Sequence, residues 1–185
     1  MAEGQKPVVF DVAAGEGKLL HSRRPGQAFL AVLEREIESV PSGGVLYLDL
    51  RGVEMMDYSF ADAGFGALIS RAARGDYGKR HVVLVENGRD LLEGIEMSLW
   101  VREQNVFRVE EVGGEAHLVG KLEEHLVETL EAVRNLGPIT TADLAKRLGV
   151  NHTACNNRAS NLHDRGLISR RKETGGRRYV YERII

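Results

Sequence analysis

The stretch Ile139-Thr140-Thr141-Ala142-Asp143-Leu144-Ala145-Lys146-Arg147-Leu148-Gly149-Val150-Asn151-His152-Thr153-Ala154-Cys155-Asn156-Asn157-Arg158-Ala159-Ser160-Asn161-Leu162 decides how the last third of the chain folds. Thr141 is expected to cap a helix over residues 142–148, Gly149-Val150 to turn the chain, and Asn151 to cap a second helix reaching about Arg165. Within that second helix Cys155, Ala159 and Leu162 recur at helical spacing, which predicts a core-facing stripe. His152, Thr153, Asn156, Asn157, Ser160 and Asn161 are then left on the outer side. Asn and His are mediocre helix formers, so three Asn on one outer face ask for a reason other than stability. Gly166-Leu167-Ile168 closes the helix and opens a strand. Thr174-Gly175-Gly176 reads as a hairpin turn between Ser169-Arg170-Arg171-Lys172 and Arg177-Arg178-Tyr179-Val180-Tyr181.

Two short helices, a glycine turn and a basic β-hairpin resemble the winged helix-turn-helix family of bacterial regulators. The likeness rests on Ile139 to Val150, on Leu162-His163-Asp164-Arg165-Gly166-Leu167-Ile168 and on the basic hairpin after it. It spans roughly residues 122–185, and it implies an α+β domain that binds double-stranded DNA. A helix fits the major groove, where amide and hydroxyl side chains read base edges. Thr153, Asn156, Asn157 and Asn161 are the base-facing candidates, with Arg158 nearer the flank. Arg170, Arg171, Lys172, Arg177 and Arg178 are the candidates for phosphate contacts, which position without specifying. The competing reading is a helix that packs a protein partner, its charges a solvated rim.

Charge supports the first reading. The chain has 185 residues and a formal net charge of −2, but the two ends differ in sign. Residues 1–121 carry 14 Lys/Arg against 19 Asp/Glu, a balance of −5, and residues 134–185 carry 11 against 4, a balance of +7. A basic end on an acidic body is the asymmetry expected when one part meets a polyanion.

Upstream, short β-branched runs alternate with amphipathic ones. Val8 to Val12, Val45 to Leu50, Val82 to Val85 and Val106 to Val109 read as strands. Helices are expected from Arg24-Pro25-Gly26 to about Ser39 (Phe29, Val32, Leu33 and Ile37 inward) and from Ser59 to about Arg74. The second of these should bury Phe60, Ala63 and Ala67, with Ser70 next on the same stripe. A further helix over residues 89–104 presents Leu92, Ile95, Leu99 and Trp100. Alternation of this kind implies a sheet covered by helices. Residues 122–136 predict an amphipathic linker helix with Leu126, Leu130 and Val133 on one face, ended by Gly137-Pro138.

The segment Tyr47-Leu48-Asp49-Leu50-Arg51-Gly52-Val53-Glu54-Met55-Met56-Asp57-Tyr58-Ser59-Phe60-Ala61-Asp62 resembles the STAS family, named from sulfate transporters and anti-sigma-factor antagonists. There a strand leads through Asp-Ser-Ser-Gly-Leu into a helix, and a partner kinase phosphorylates the second Ser. Asp57 matches the Asp and Ser59 the second Ser, whereas Tyr58 replaces the first Ser and Phe60 the Gly. The Ser-Phe-Ala-Asp form is closer to STAS-like domains of unknown function, which also show an early Ser-Arg pair, as in Ser22-Arg23. The resemblance implies an α/β domain, a mixed sheet covered by helices, over residues 1–115, with the winged helix over 116–185. Two roles for Ser59 stand open: an N-cap worth ~1 kcal/mol, or a phosphate acceptor at a helix N-terminus that Asp57 and Asp62 would oppose.

No catalytic constellation is legible. Gly15-Glu16-Gly17-Lys18 lacks the first glycine of a phosphate loop and has Leu19 where Ser/Thr belongs. The six His form no metal-binding pair, one Cys cannot build a thiolate cluster, and no Gly-x-Ser-x-Gly is present. The expectation is therefore no enzyme, no metal, no cofactor and no membrane anchor; the lone Cys155 fits the reducing cytoplasm. The leading reading is a DNA-binding regulator whose STAS-like domain senses a partner or mediates dimerisation, with a homodimer expected because paired half-sites raise affinity. The alternative is a protein-interaction switch worked through Ser59, docking an ATPase-type kinase or another signalling partner without DNA.

Overall fold

The computed structural model describes residues 7–88, 90–173 and 178–185. Two compact units divide the chain between Lys121 and Leu122, six residues beyond the expected boundary. His117–Val119 explains the shift: this short strand pairs antiparallel with Val106–Val109 and so belongs to the first sheet.

The first unit is built on a five-stranded sheet of β1 (Val8–Asp11), β3 (Val45–Asp49), β5 (His81–Val85), β6 (Val106–Val109) and β7 (His117–Val119), in the order 1-3-5-6-7. β1, β3, β5 and β6 run parallel, with Phe10 beside Leu48 and Leu48 beside Leu84. The strand order never reverses, so right-handed crossovers lay the connecting helices on a single face. These are α2 (Arg23–Ser39), the segment α3 (Tyr58–Ala61) through α4 (Ala67–Arg74), and α5 (Leu92–Val101). Leu46, Leu48 and Leu84 of the sheet meet Phe29, Leu33 and Ile37 of α2 and Ile95 and Leu99 of α5 in one core. The smaller elements are α1 (Val12–Glu16), capped by Asp11, and a parallel pair, β2 (Leu19–Leu20) with β4 (Met55–Met56).

Between α3 and α4 the helix widens into a π turn, Asp62–Gly66. An extra residue in one turn advances the phase of everything after it. Of the expected stripe, Phe60, Ala63 and Ser70 are buried and Ala67 only half-buried, while Phe65, Leu68 and Ile69 join them in the core. Phe65 thereby joins Phe29 and Phe60 in a ring cluster with centroids 5.6–6.4 Å apart. Gly26 lets α2 lie against this segment, since a Cβ there would sit 2.8 Å from the Phe60 carbonyl oxygen.

α5 differs from expectation in one residue that matters. Leu92, Ile95 and Leu99 are buried as the spacing predicts, but Trp100 is 62% exposed and Ser98 is fully buried. Ser98 takes the inward position because its hydroxyl donates to Asp62 at 2.9 Å. Arg89, the expected start of this helix, lies outside the described residues.

The second unit comprises α6 (Glu124–Leu136), β8 (Ile139–Thr140), α7 (Thr141–Leu148), α8 (His152–Asp164), β9 (Ile168–Lys172) and β10 (Tyr179–Arg183). The three strands form an antiparallel sheet in the order 8-10-9. Leu126, Leu130 and Val133 of α6 are buried, as are Leu144, Cys155, Ala159, Leu162, Ile168 and Tyr181. No helix among the described residues is long and apolar enough to cross a membrane.

Candidate nucleic-acid interface

α7 begins one residue earlier than expected. Thr140, not Thr141, is its N-cap: the Thr140 hydroxyl accepts from the Asp143 N–H at 3.2 Å, while Thr141 is buried in the first turn. The helix ends at Gly149, whose φ of +65° is left-handed. There the Val150 N–H returns to the Ala145 carbonyl at 3.1 Å, which satisfies an orphan acceptor. Three residues later α8 starts, capped by Asn151, whose Oδ1 accepts from the Ala154 N–H at 2.8 Å.

Cys155, Ala159 and Leu162 turn inward at 0% exposure each. The Cys155 thiol lies 3.5 Å from the Thr141 carbonyl oxygen, joining α8 to the start of α7, and burial pushes its pKa up. This leaves Thr153, Asn157 and Asn161 exposed, with Asn156 and Ser160 half-buried. Among the described residues, the side chains of Thr153, Asn156 and Asn157 make no hydrogen bond. Asn161 is different: its Oδ1 accepts from Arg165 Nε at 2.8 Å, and Arg165 also meets Glu123 at 3.7 Å.

Arg158 departs from the expected flank position. Its guanidinium turns back onto α6, 3.3 Å from Glu128 Oε2 and 3.5 Å from the His125 carbonyl, and only 21% of the side chain is exposed. The cause is helix geometry: residue 158 lies one turn from both 155 and 162, at the edge of the buried stripe where α6 passes.

The hairpin β9–β10 pairs Lys172 with Tyr179, Arg171 with Val180 and Arg170 with Tyr181. The Glu173 N–H donates to the Arg178 carbonyl at 3.0 Å and extends the ladder toward the tip. Lys172 and Arg178 are exposed. Arg171 is half-exposed and 3.6 Å from Glu182. Arg170 stacks over the Tyr179 ring, 4.6 Å from its centroid. The turn and Arg177 lie outside the described residues. Two further exposed cations, Lys146 and Arg147, stand in the last turn of α7. Cations in a last turn ordinarily complement the helix dipole, so sequence alone gave no cause to single them out.

The model of the MarR family matches residues 127–178, from within α6 to the residue before β10. The C-terminal unit is a winged helix-turn-helix. In it α7 and α8 are the two helices of the helix-turn-helix and β9–β10 is the hairpin that follows. No curated protein matches the chain.

The second candidate site lies in the first unit. Ser59 is not the helix cap there. Asp57 is: one carboxylate oxygen accepts from the Phe60 N–H at 2.7 Å and the other from the Ser22 N–H at 2.8 Å. These two backbone donors hold its carboxyl below the usual carboxylate range. Ser59 stands half-buried inside the first turn. Asp62 is no first-turn helper but a buried hub, accepting from Ser98 and from Arg102 Nε at 2.9 Å and lying 3.0 Å from Arg23. Burial would raise its pKa, yet those partners leave it lowered. Ser22 and Arg23 thus both serve this corner, Ser22 with an unusual φ of +74°.

Proposed function

We propose that this chain is a DNA-binding transcriptional regulator. The observation that carries the reading is the outer face of α8: Thr153, Asn156 and Asn157 present amide and hydroxyl groups that bond nothing among the described residues, on the same unit as a hairpin whose Lys172 and Arg178 are exposed. A helix in the major groove needs the first set, and phosphates recruit the second. Arg170 and Arg171 add charge on the same hairpin, and Lys146 and Arg147 extend it along α7. Arg158 drops out as a DNA contact, since it is spent on α6. The STAS-like unit is assigned a role in partner sensing or dimerisation, and the active species is a homodimer.

Fluorescence anisotropy of the full chain against random-sequence duplexes, across a salt titration, tests the reading. Binding should weaken linearly in log salt. A Lys172→Ala/Arg178→Ala variant should lose affinity on every sequence alike and flatten the slope by about 2 for each chain bound, near one per phosphate contact removed. A salt-insensitive signal identical in both proteins would reject it.

A further inference from the structure

We propose that α8 selects A·T over G·C base pairs, with Asn157 and its neighbour Asn156 reading adenine; this deepens the DNA-binding reading and rests on it. The argument starts from what the recognition helix lacks. Guanine is read in the major groove chiefly by Arg or Lys on its O6 and N7 acceptors. α8 contains a single Arg or Lys, Arg158, and the Glu128 carboxylate and His125 carbonyl hold that side chain on α6. The face left over is uncharged except for Asp164 at its far end.

Polarity along the helix says which half enters the groove. The N-terminus carries the positive end of the helix dipole and suits the phosphate-lined groove. The C-terminus carries the negative end together with exposed Asp164. Thr153, Asn156 and Asn157 therefore lie in the half that approaches DNA.

The three Asn are not equivalent. Arg165 can only donate, so its bond to Asn161 Oδ1 fixes the amide and turns Nδ2 outward as a donor. Asn161 then suits any acceptor, phosphate included, and discriminates little. Asn156 and Asn157 keep both amide ends, the pair needed to meet adenine N6–H and N7 together. The Thr153 methyl group suits the thymine methyl of a neighbouring pair. His152 can donate to a purine N7, a group adenine and guanine share, so it does not discriminate.

The test selects binders of the full chain from a random-sequence duplex library, then measures affinity for the selected site and for a G·C-only duplex of equal length. The enriched core should be A·T. Asn157→Ala should weaken the selected site roughly 5- to 150-fold while leaving the G·C-only duplex unchanged. Replacing the core adenines with 7-deazaadenine should weaken wild-type binding and leave an Asn156→Ala/Asn157→Ala variant unaffected. Because Asn157 is exposed and unbonded, the variant should fold, which circular dichroism checks. A G·C core, or salt-dependent binding with no base preference, overturns this inference and leaves the DNA reading standing. An A·T preference that survives both Asn157→Ala and Asn156→Ala overturns it as well. Absence of binding to any duplex at low salt removes the DNA reading and this inference with it.

Discussion

Asp57 shows how one carboxylate can serve two helices. It caps α3 through Phe60 and at the same time holds the Ser22 N–H at the start of α2. Asp57→Ala should therefore cost about 1–2 kcal/mol in chemical denaturation, the upper part of the range for a lost cap, because a second donor is orphaned. Ser59→Ala should change stability by less than about 0.5 kcal/mol, since Ser59 is not the cap. The reverse order of effects would restore Ser59 to that role. The pH dependence has a definite sign. The folded carboxyl is depressed, so its stabilisation is complete above the ordinary carboxylate pKa and fades as pH falls through the folded value. Wild-type stability should drop more steeply on acidification than that of Asp57→Ala. In the sequence this corner was half legible: Ser59 and Asp62 fitted a cap pattern, and Asp57 stood out only as the Asp of the STAS-like motif. Asp57 caps through the Phe60 N–H three residues on, and its second bond, to the Ser22 N–H 35 residues away, is the part no local pattern shows.

At the scale of elements, the amphipathic spacing of α2, α6 and α8 predicted their buried faces because each is a regular helix with one apolar stripe. The segment from α3 to α4 broke the rule. A π turn changes the period midway, and periodicity assumes a constant one. α5 broke it differently: Ser98 displaces Trp100 from the core because the buried Asp62 needs a donor. The contact of α2 with the π turn supplies a prediction in which two effects oppose. Gly26→Ala gains about 1 kcal/mol of helix propensity. Its new methyl would meet Phe60 backbone atoms at 2.8 and 3.0 Å, and overpacking against backbone costs about 1–3 kcal/mol. A lowered urea midpoint with an unchanged m-value is expected; a raised midpoint would mean that α2 shifts at no cost.

For the whole molecule, charge is arranged by unit. Residues 122–133 add four acids and no bases, so the second unit carries its cations on the wing and α7 rather than throughout. The salt titration then also counts chains. With Arg170, Arg171, Lys172 and Arg178 on phosphates, the slope of log affinity against log salt should be about −4 for one copy and about −8 for two on paired half-sites. A slope near −4, with stoichiometric titration giving one chain per selected site, would reject the homodimer.

What the sequence determined by itself is local. The stop at Gly149, the cap at Asn151, the Cys155-Ala159-Leu162 stripe and the alternation of strands with helices all depend on neighbours within a few residues. Tertiary structure decided what depends on residues distant in the chain. It placed β7 at the sheet edge by pairing it with β6, tied the Asp57 carboxylate to the Ser22 N–H, and made Asp62 a buried hub. It also turned Arg158 away from the outer face of α8 and onto α6. The spacing puts Arg158 at the flank of that face; in the fold its guanidinium, at the edge of the buried stripe, meets Glu128 on α6 before it finds solvent.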